Sequence, residues 1–110
     1  MALLRGYLHW VHLDKRRPAL VLSPNARNER ASDVIVVPCS TRLRPAPTHV
    51  LLREGEGGLD EDSMLKCEQI TTLHRDDVSD EPLGRALSRS RVAEVERAVL
   101  RAIGVPVPLS

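Results

Sequence analysis

Asp33-Val34-Ile35-Val36-Val37-Pro38 carries four β-branched apolar residues in a row, and no other stretch limits the fold as strongly. β-Branched side chains lose rotamer freedom in a helix and pack well on a pleated surface. A run without apolar–polar alternation predicts a strand covered on both faces, and therefore a central one. Such a strand needs neighbours. Tyr7-Leu8-His9-Trp10-Val11-His12-Leu13 alternates as a half-buried strand does, with Trp10 out of phase with Tyr7, so one end twists or bulges. Pro18 opens a second strand, Ala19-Leu20-Val21-Leu22, since proline is tolerated only at a strand's start or on an edge. Thr48 to Leu52, Asp62 to Ile70 with Thr71-Thr72-Leu73 continuing it, and Gly84 to Leu87 complete the predicted strands. Asn25 to Ser32 has room for one short helical turn, and Asp76 to Pro82 reads as loop.

Ser88 is a plausible N-cap for a closing helix. Val92, Val95, Val99 and Ile103 recur at steps of three and four, an apolar stripe widened by Leu100 and Ala102 and stopped by Gly104 and Pro106. Many strands and then one helix make an α+β fold with a largely antiparallel sheet. At 110 residues the chain is predicted to be a single domain, 1–110, which buries a modest core and gains from dimerisation. Phe is absent and there is one Trp and one Tyr, so the core is aliphatic and rows of stacked aromatics for nucleic acid are excluded.

Net charge is +1, which by itself predicts no polyanion partner. The distribution is more telling. Lys15, Arg16, Arg17, Arg27, Arg30, Arg42 and Arg44 meet only Glu29 and Asp33 between residues 15 and 44. A basic half facing an acidic middle makes a positive groove on a near-neutral protein. No stretch approaches a membrane span, and the segment from Met1 to Leu4 is too short for an export region, so the expected location is the cytoplasm. There Cys39 and Cys67 stay reduced. They share no ligand spacing with the histidines, so no metal or other cofactor is expected. Gly55-Glu56-Gly57-Gly58 is a turn and lacks the Lys-Ser/Thr of a phosphate loop.

Four blocks in order carry a resemblance: Arg5 to Asp14; Arg17-Pro18-Ala19-Leu20-Val21-Leu22-Ser23-Pro24; Val37-Pro38-Cys39-Ser40-Thr41 followed by Pro47-Thr48-His49-Val50; and Asp62-Ser63 through Cys67-Glu68-Gln69-Ile70-Thr71-Thr72. With the last helix they cover nearly the whole chain, which resembles the MazF/PemK family of toxin endoribonucleases. The resemblance implies a small SH3-like barrel of antiparallel strands with a C-terminal helix, and a homodimer. It implies cleavage of single-stranded RNA at short sequences without a metal, and a cognate antitoxin protein as partner. The family's arginine and hydroxyl match Arg17 and Ser40, where Thr is the more usual hydroxyl residue; Thr41 is a possible substitute. Lys66 and Glu68 match the basic and acidic positions of the PemK branch. The family's longer loop before the Arg-Pro block is reduced here to Lys15-Arg16.

Metal-free RNA cleavage uses the substrate's own 2′-OH, so the protein must remove that proton, stabilise the phosphorane and protonate the leaving oxygen. Arg17 suits the second task through its planar fork of donors, and Ser40 can donate to a phosphate oxygen. Glu68 and His49 are candidates by type for the base; Glu68 needs a raised pKa to serve near neutrality. Lys15, Arg16, Thr41, Arg42, Arg44, His49, Lys66 and Gln69 are candidate RNA contacts. Each has a plainer alternative, such as a solvated loop for Arg42 and Arg44 or a buried backbone partner for Gln69. Two other functions stay open: a non-enzymatic toxin of the same architecture that binds DNA gyrase, and an inactive binding module.

Overall fold

The computed structural model describes residues 2–108. Met1, where the segment read as too short for export begins, and the two ends of the expected domain lie outside them. The described strands are β1 (Leu8–His12), β2 (Arg16–Val21), β3 (Asp33–Ser40), β4 (His49–Leu52), β5 (Ser63–Lys66), β6 (Thr71–His74) and β7 (Val78–Pro82). The helices are α1 (Asn25–Arg30) and α2 (Arg89–Ala102). The strand order is β4-β5-β3-β2-β1-β7, with β6 also on β3, and every pairing is antiparallel. This curled sheet with its closing helix is the expected SH3-like barrel.

β3 is the central strand, and it runs on to Ser40. One edge pairs with β2; the other pairs first with β6, through Asp33 to Val36, and then with β5, through Cys39 and Ser40. Pro38 falls where the partner changes. Leu22 N–H donates to Ile35 O, so by antiparallel alternation Pro38's nitrogen faces away from β2, into that gap. Both faces of β3 are covered. Val34 and Val36 pack with Val11, Ala19, Val21 and Val78, while Val37 and Cys39 pack with Leu8, Leu20, Leu65, Val95 and Ala98. The unalternating run is thus a strand buried between two small cores.

α2 begins at the expected cap: Ser88 Oγ accepts from Arg91 N–H. Val95 and Ala98 are buried and Val92 and Val99 pack beside them, but Ile103 is 66% exposed and Leu100 is also exposed. The helix ends at Ala102, which leaves Ile103 past the last packed turn.

Four expectations fail. β2 starts at Arg16 rather than Pro18, so Arg16 and Arg17 are strand residues. Pro18 is accommodated because β3 pairs with β2 only from Ala19 onward. The segment from Asp62 to Leu73 is not one strand. Carried on, the β5 register sets residue 68 opposite Val36, but Thr71 stands there. The three surplus residues are taken up by a 3₁₀ turn over Cys67–Gln69. The expected loop from Asp76 to Pro82 contains an edge strand, β7, on β1. Its Ser79-Asp80-Glu81 lacks apolar alternation, as charged edge strands do. Gly84 to Leu87 forms no strand. Gly84 lies against Gly58, where an added Cβ would come within 2.8 Å of the Gly58 Cα, so it permits a close backbone approach.

Candidate active site

β1 and β2 form a tight hairpin whose turn is Leu13-Asp14-Lys15. Its short span puts Asp14 beside Arg17. Arg17 Nε and Nη2 donate to the two Asp14 carboxylate oxygens at 3.1 and 2.8 Å, and Nη1 donates to Cys39 O at 3.1 Å. The second contact crosses from β2 to β3 and fixes the guanidinium beside the strand end that carries Ser40. The Arg17 side chain is only 17% exposed. Desolvation pushes the Asp14 carboxyl up, but the hydrogen bonds and charge of Arg17 prevail and hold it below the usual range.

Ser40 is the last residue of β3, where the chain turns away at Thr41. Its Oγ accepts from Arg42 N–H at 3.1 Å, which leaves the hydroxyl proton available to a ligand. The two candidate catalytic residues of the Arg-Pro and Pro-Cys-Ser blocks thus share one place. Both line a cleft of about 520 Å³, together with Lys15, Arg16, Thr41, Arg42 and Lys66. Among the described residues, no carboxylate pairs with Lys15, Arg16, Arg42 or Lys66. Arg16 lies over the Trp10 ring, 4.3 Å from its centroid, so an aromatic face is part of the cleft wall.

Other candidates lie elsewhere. Arg44, His49, Glu68 and Gln69 do not line this cleft. Glu68 rides on the 3₁₀ turn, where Oε1 accepts from Thr48 Oγ1 at 2.9 Å and Oε2 lies 3.0 Å from His49 Nε2. Burial pushes its carboxyl up, but the hydrogen bonds from His49, its own backbone and Thr48 prevail and hold it below the ordinary range. This is the reverse of the raised pKa that a base near neutrality needs. Gln69 is exposed and its side chain makes no hydrogen bond among the described residues, so it does not serve a buried backbone group.

Sequence reasoning missed Asp14, Trp10, Asp60 and Glu61. The last three line the cleft, and Asp14 braces Arg17 from the turn. Asp14 alone left a usable signal, an acid three residues before the arginine in a short polar connection. Asp60 and Glu61 come from the far wall, which no local pattern links to Arg17. The thiols are buried: desolvation pushes Cys39 and Cys67 up to about 12. Among the described residues no three His, Cys, Asp or Glu side chains converge as metal ligands.

Compared with known proteins, residues 5–103 match the model for the PemK-like, MazF-like toxin of type II toxin–antitoxin systems. The chain belongs to the PemK/MazF toxin family. A relative named endoribonuclease MazF, from Staphylococcus saprophyticus, is 30% identical over 91 residues, covering 81% of this chain and 74% of its own. Among solved structures, an endoribonuclease from a mycobacterial species is similar with a TM-score of 0.83 and 30% identity, covering 98% of this chain and 97% of that one. A mycobacterial endoribonuclease solved with its cognate antitoxin gives 0.83 and 30%, covering 97% of this chain and 100% of that one. The likeness therefore spans the barrel and the helix, and includes both the cleft and the Arg17–Ser40 pair within the family match.

Proposed function

We propose that this PemK/MazF toxin is a sequence-selective, metal-independent endoribonuclease that cuts single-stranded RNA in the Arg17–Ser40 cleft. The observation that carries the reading is the convergence, in one cationic cleft, of a braced arginine and a hydroxyl with a free proton. RNA lies with its phosphates against Lys15, Arg16, Arg42 and Lys66. The 2′-OH attacks the adjacent phosphorus, the 5′ oxygen leaves, and a 2′,3′-cyclic phosphate and a 5′-OH result. Arg17 and Ser40 donate to the non-bridging oxygens as charge builds on them. Asp60 and Glu61 share the cleft, which Glu68 does not, and these carboxylates take the 2′-OH proton and return a proton to the leaving 5′ oxygen. Thr41 lies beside Ser40 as a further donor.

The proposed partners are RNA, a second copy of the chain and a cognate antitoxin. The antitoxin rests on the likeness to the mycobacterial complex, and an acidic segment laid over the cationic cleft suits its charge. The proposed location is the cytoplasm; no helix among the described residues is long and apolar enough to cross a membrane. The test is incubation of purified protein with a long RNA in EDTA. Discrete products ending in cyclic phosphate, lost in Arg17→Ala, are expected. Intact RNA at high protein concentration overturns the reading, and gyrase inhibition in the same preparation would replace it with the non-enzymatic toxin.

A further inference from the structure

We propose that His49 and Glu68 are positioning residues, a clamp that locks the 41–48 loop and so holds Arg42 in the cleft. The proposal rests on the RNA-cleaving reading above but concerns groups outside the cleft. The loop between β3 and β4 has no regular structure from residue 43 to 46, and residues 41–45 are all exposed. A segment with so few buried contacts opens at low free energy unless something ties it down. At its start, Arg42 N–H is tied to Ser40 Oγ. At its far end the tie is a side-chain pair. His49 Nδ1–H donates to Arg44 O at 2.6 Å, and Nε2 lies 3.0 Å from Glu68 Oε2. Glu68 Oε1 takes the Thr48 hydroxyl at 2.9 Å, and Cys67 N–H donates to Thr48 O at 2.9 Å. Arg101 of α2 adds a contact to Pro47 O at 3.3 Å.

The imidazole uses both nitrogens and spans two elements, the loop backbone and the 3₁₀ turn. The three-residue register surplus between β5 and β6 is what swings Glu68 out to meet it. This accounts for the two residues that resemble a base pair by type yet miss the cleft. Their product is a fixed Arg42, whose side chain lines the cleft without a carboxylate partner among the described residues.

Four readouts test the clamp: cleavage kinetics, affinity for a non-cleavable RNA with 2′-deoxy linkages, backbone amide exchange, and a double-mutant cycle. His49→Ala is expected to raise KM and the deoxy-RNA Kd about tenfold, with kcat within about twofold, and to speed exchange at the hydrogen-bonded amides of Arg42, Arg44 and residue 49. His49→Asn, which keeps an N–H near the Nδ1 position, restores most of the affinity. Arg42→Ala weakens binding about as much, and adding His49→Ala to it costs nothing further, because both changes remove one contact. A fall in kcat of about a hundredfold with unchanged binding makes the pair catalytic and overturns the proposal. Additive losses, or exchange that does not change, also overturn it. Should the native protein cut no RNA, the cleavage reading fails alone; amide exchange in the two His49 variants still decides whether the clamp exists.

Discussion

Arg17 grips both carboxylate oxygens of Asp14, three residues before it, through Nε and Nη2. A third donor, on Nη1, goes to Cys39 O. A guanidinium has five N–H groups, so one on each terminal nitrogen is left for a ligand. In the proposed reaction the side chain meets a phosphate already oriented, with little rotamer entropy left to lose. Asp14 supplies this bracing from within the three-residue turn of the β1–β2 hairpin.

Arg17→Lys tests the fork. Lysine keeps the charge but cannot hold Asp14 on two sides, reach Cys39 O and face a phosphate at once. Single-turnover cleavage is expected to fall by about 10²–10³-fold, the usual cost of losing an aligned transition-state donor. The circular dichroism spectrum and melting curve should match those of the native protein. Cleavage within a factor of three of native would remove Arg17 from the chemistry.

Asp14→Ala separates bracing from charge. Asp14 is 70% exposed, so its loss leaves the melting temperature unchanged. Removing an acid next to the cleft also favours RNA binding by simple electrostatics. If bracing matters more, kcat drops about tenfold while RNA affinity stays level or improves. A kcat at or above the native value would mean that Cys39 O alone orients the guanidinium.

The fold was legible where burial alone decides it. Val34 to Val37 announces a two-sided strand, and the Val92-Val95-Val99 spacing with Ser88 announces α2. The 3₁₀ turn at Glu68 was not legible, because its cause is the pairing of β5 and β6 with separate parts of β3, a relation between distant segments. β7 was hidden by its charges, and Ile103 kept the period of a core residue although the helix stops before it. In the site, Arg17 and Ser40 were found through the family likeness. Their meeting depends on the β2–β3 register, which puts Cys39 O within reach of the guanidinium. Asp60 and Glu61 sit in a segment with no pattern of its own.

The Glu56–Arg91 pair fixes a second 3₁₀ turn, over Glu56–Gly58, to α2, with Oε1 and Oε2 at 2.9 and 3.0 Å from Arg91 Nε and Nη2. Burial raises the Glu56 carboxyl, but the Arg91 hydrogen bonds and charge prevail and hold it below its usual value. The folded state thus binds the proton less readily than the unfolded one. Its contribution is complete above the ordinary carboxylate value of 4.5 and is lost as pH falls through the lower folded one. Glu56→Gln should cost about 1–2 kcal/mol at pH 7. Urea titrations at pH 7 and pH 3 should show this difference shrinking in acid; a constant difference would contradict the assignment.

Cys39 and Cys67 are expected to be inert in the native protein. Both are buried, and with thiols pushed up to about 12 almost no thiolate exists at pH 8. A chromogenic disulfide reagent should label neither in buffer and both in guanidinium. Rapid labelling of either in buffer would show that β3 or the 3₁₀ turn over Cys67–Gln69 opens.

His9 connects stability to mild acid. It is 2% exposed on β1, and Nδ1–H donates to Ser79 O of β7 at 2.7 Å. Desolvation lowers its pKa, outweighing the carbonyl contact and the charges of Asp80 and Glu81, which raise it. The unfolded chain therefore takes up the proton first as pH drops. The contribution of neutral His9 is complete above the ordinary value of 6.5 and is lost as pH falls below it towards the depressed folded one. This window lies above that of Glu56, so the two separate in one titration. His9→Asn keeps an N–H near the Nδ1 position for Ser79 O and does not titrate. Between pH 7 and pH 5.5 the native protein should lose urea stability while His9→Asn loses less. Amide exchange along residues 78–81 should rise over the same range in the native protein alone, because β7 is the strand that a charged His9 disturbs. Equal slopes in the two proteins would place the titrating group elsewhere.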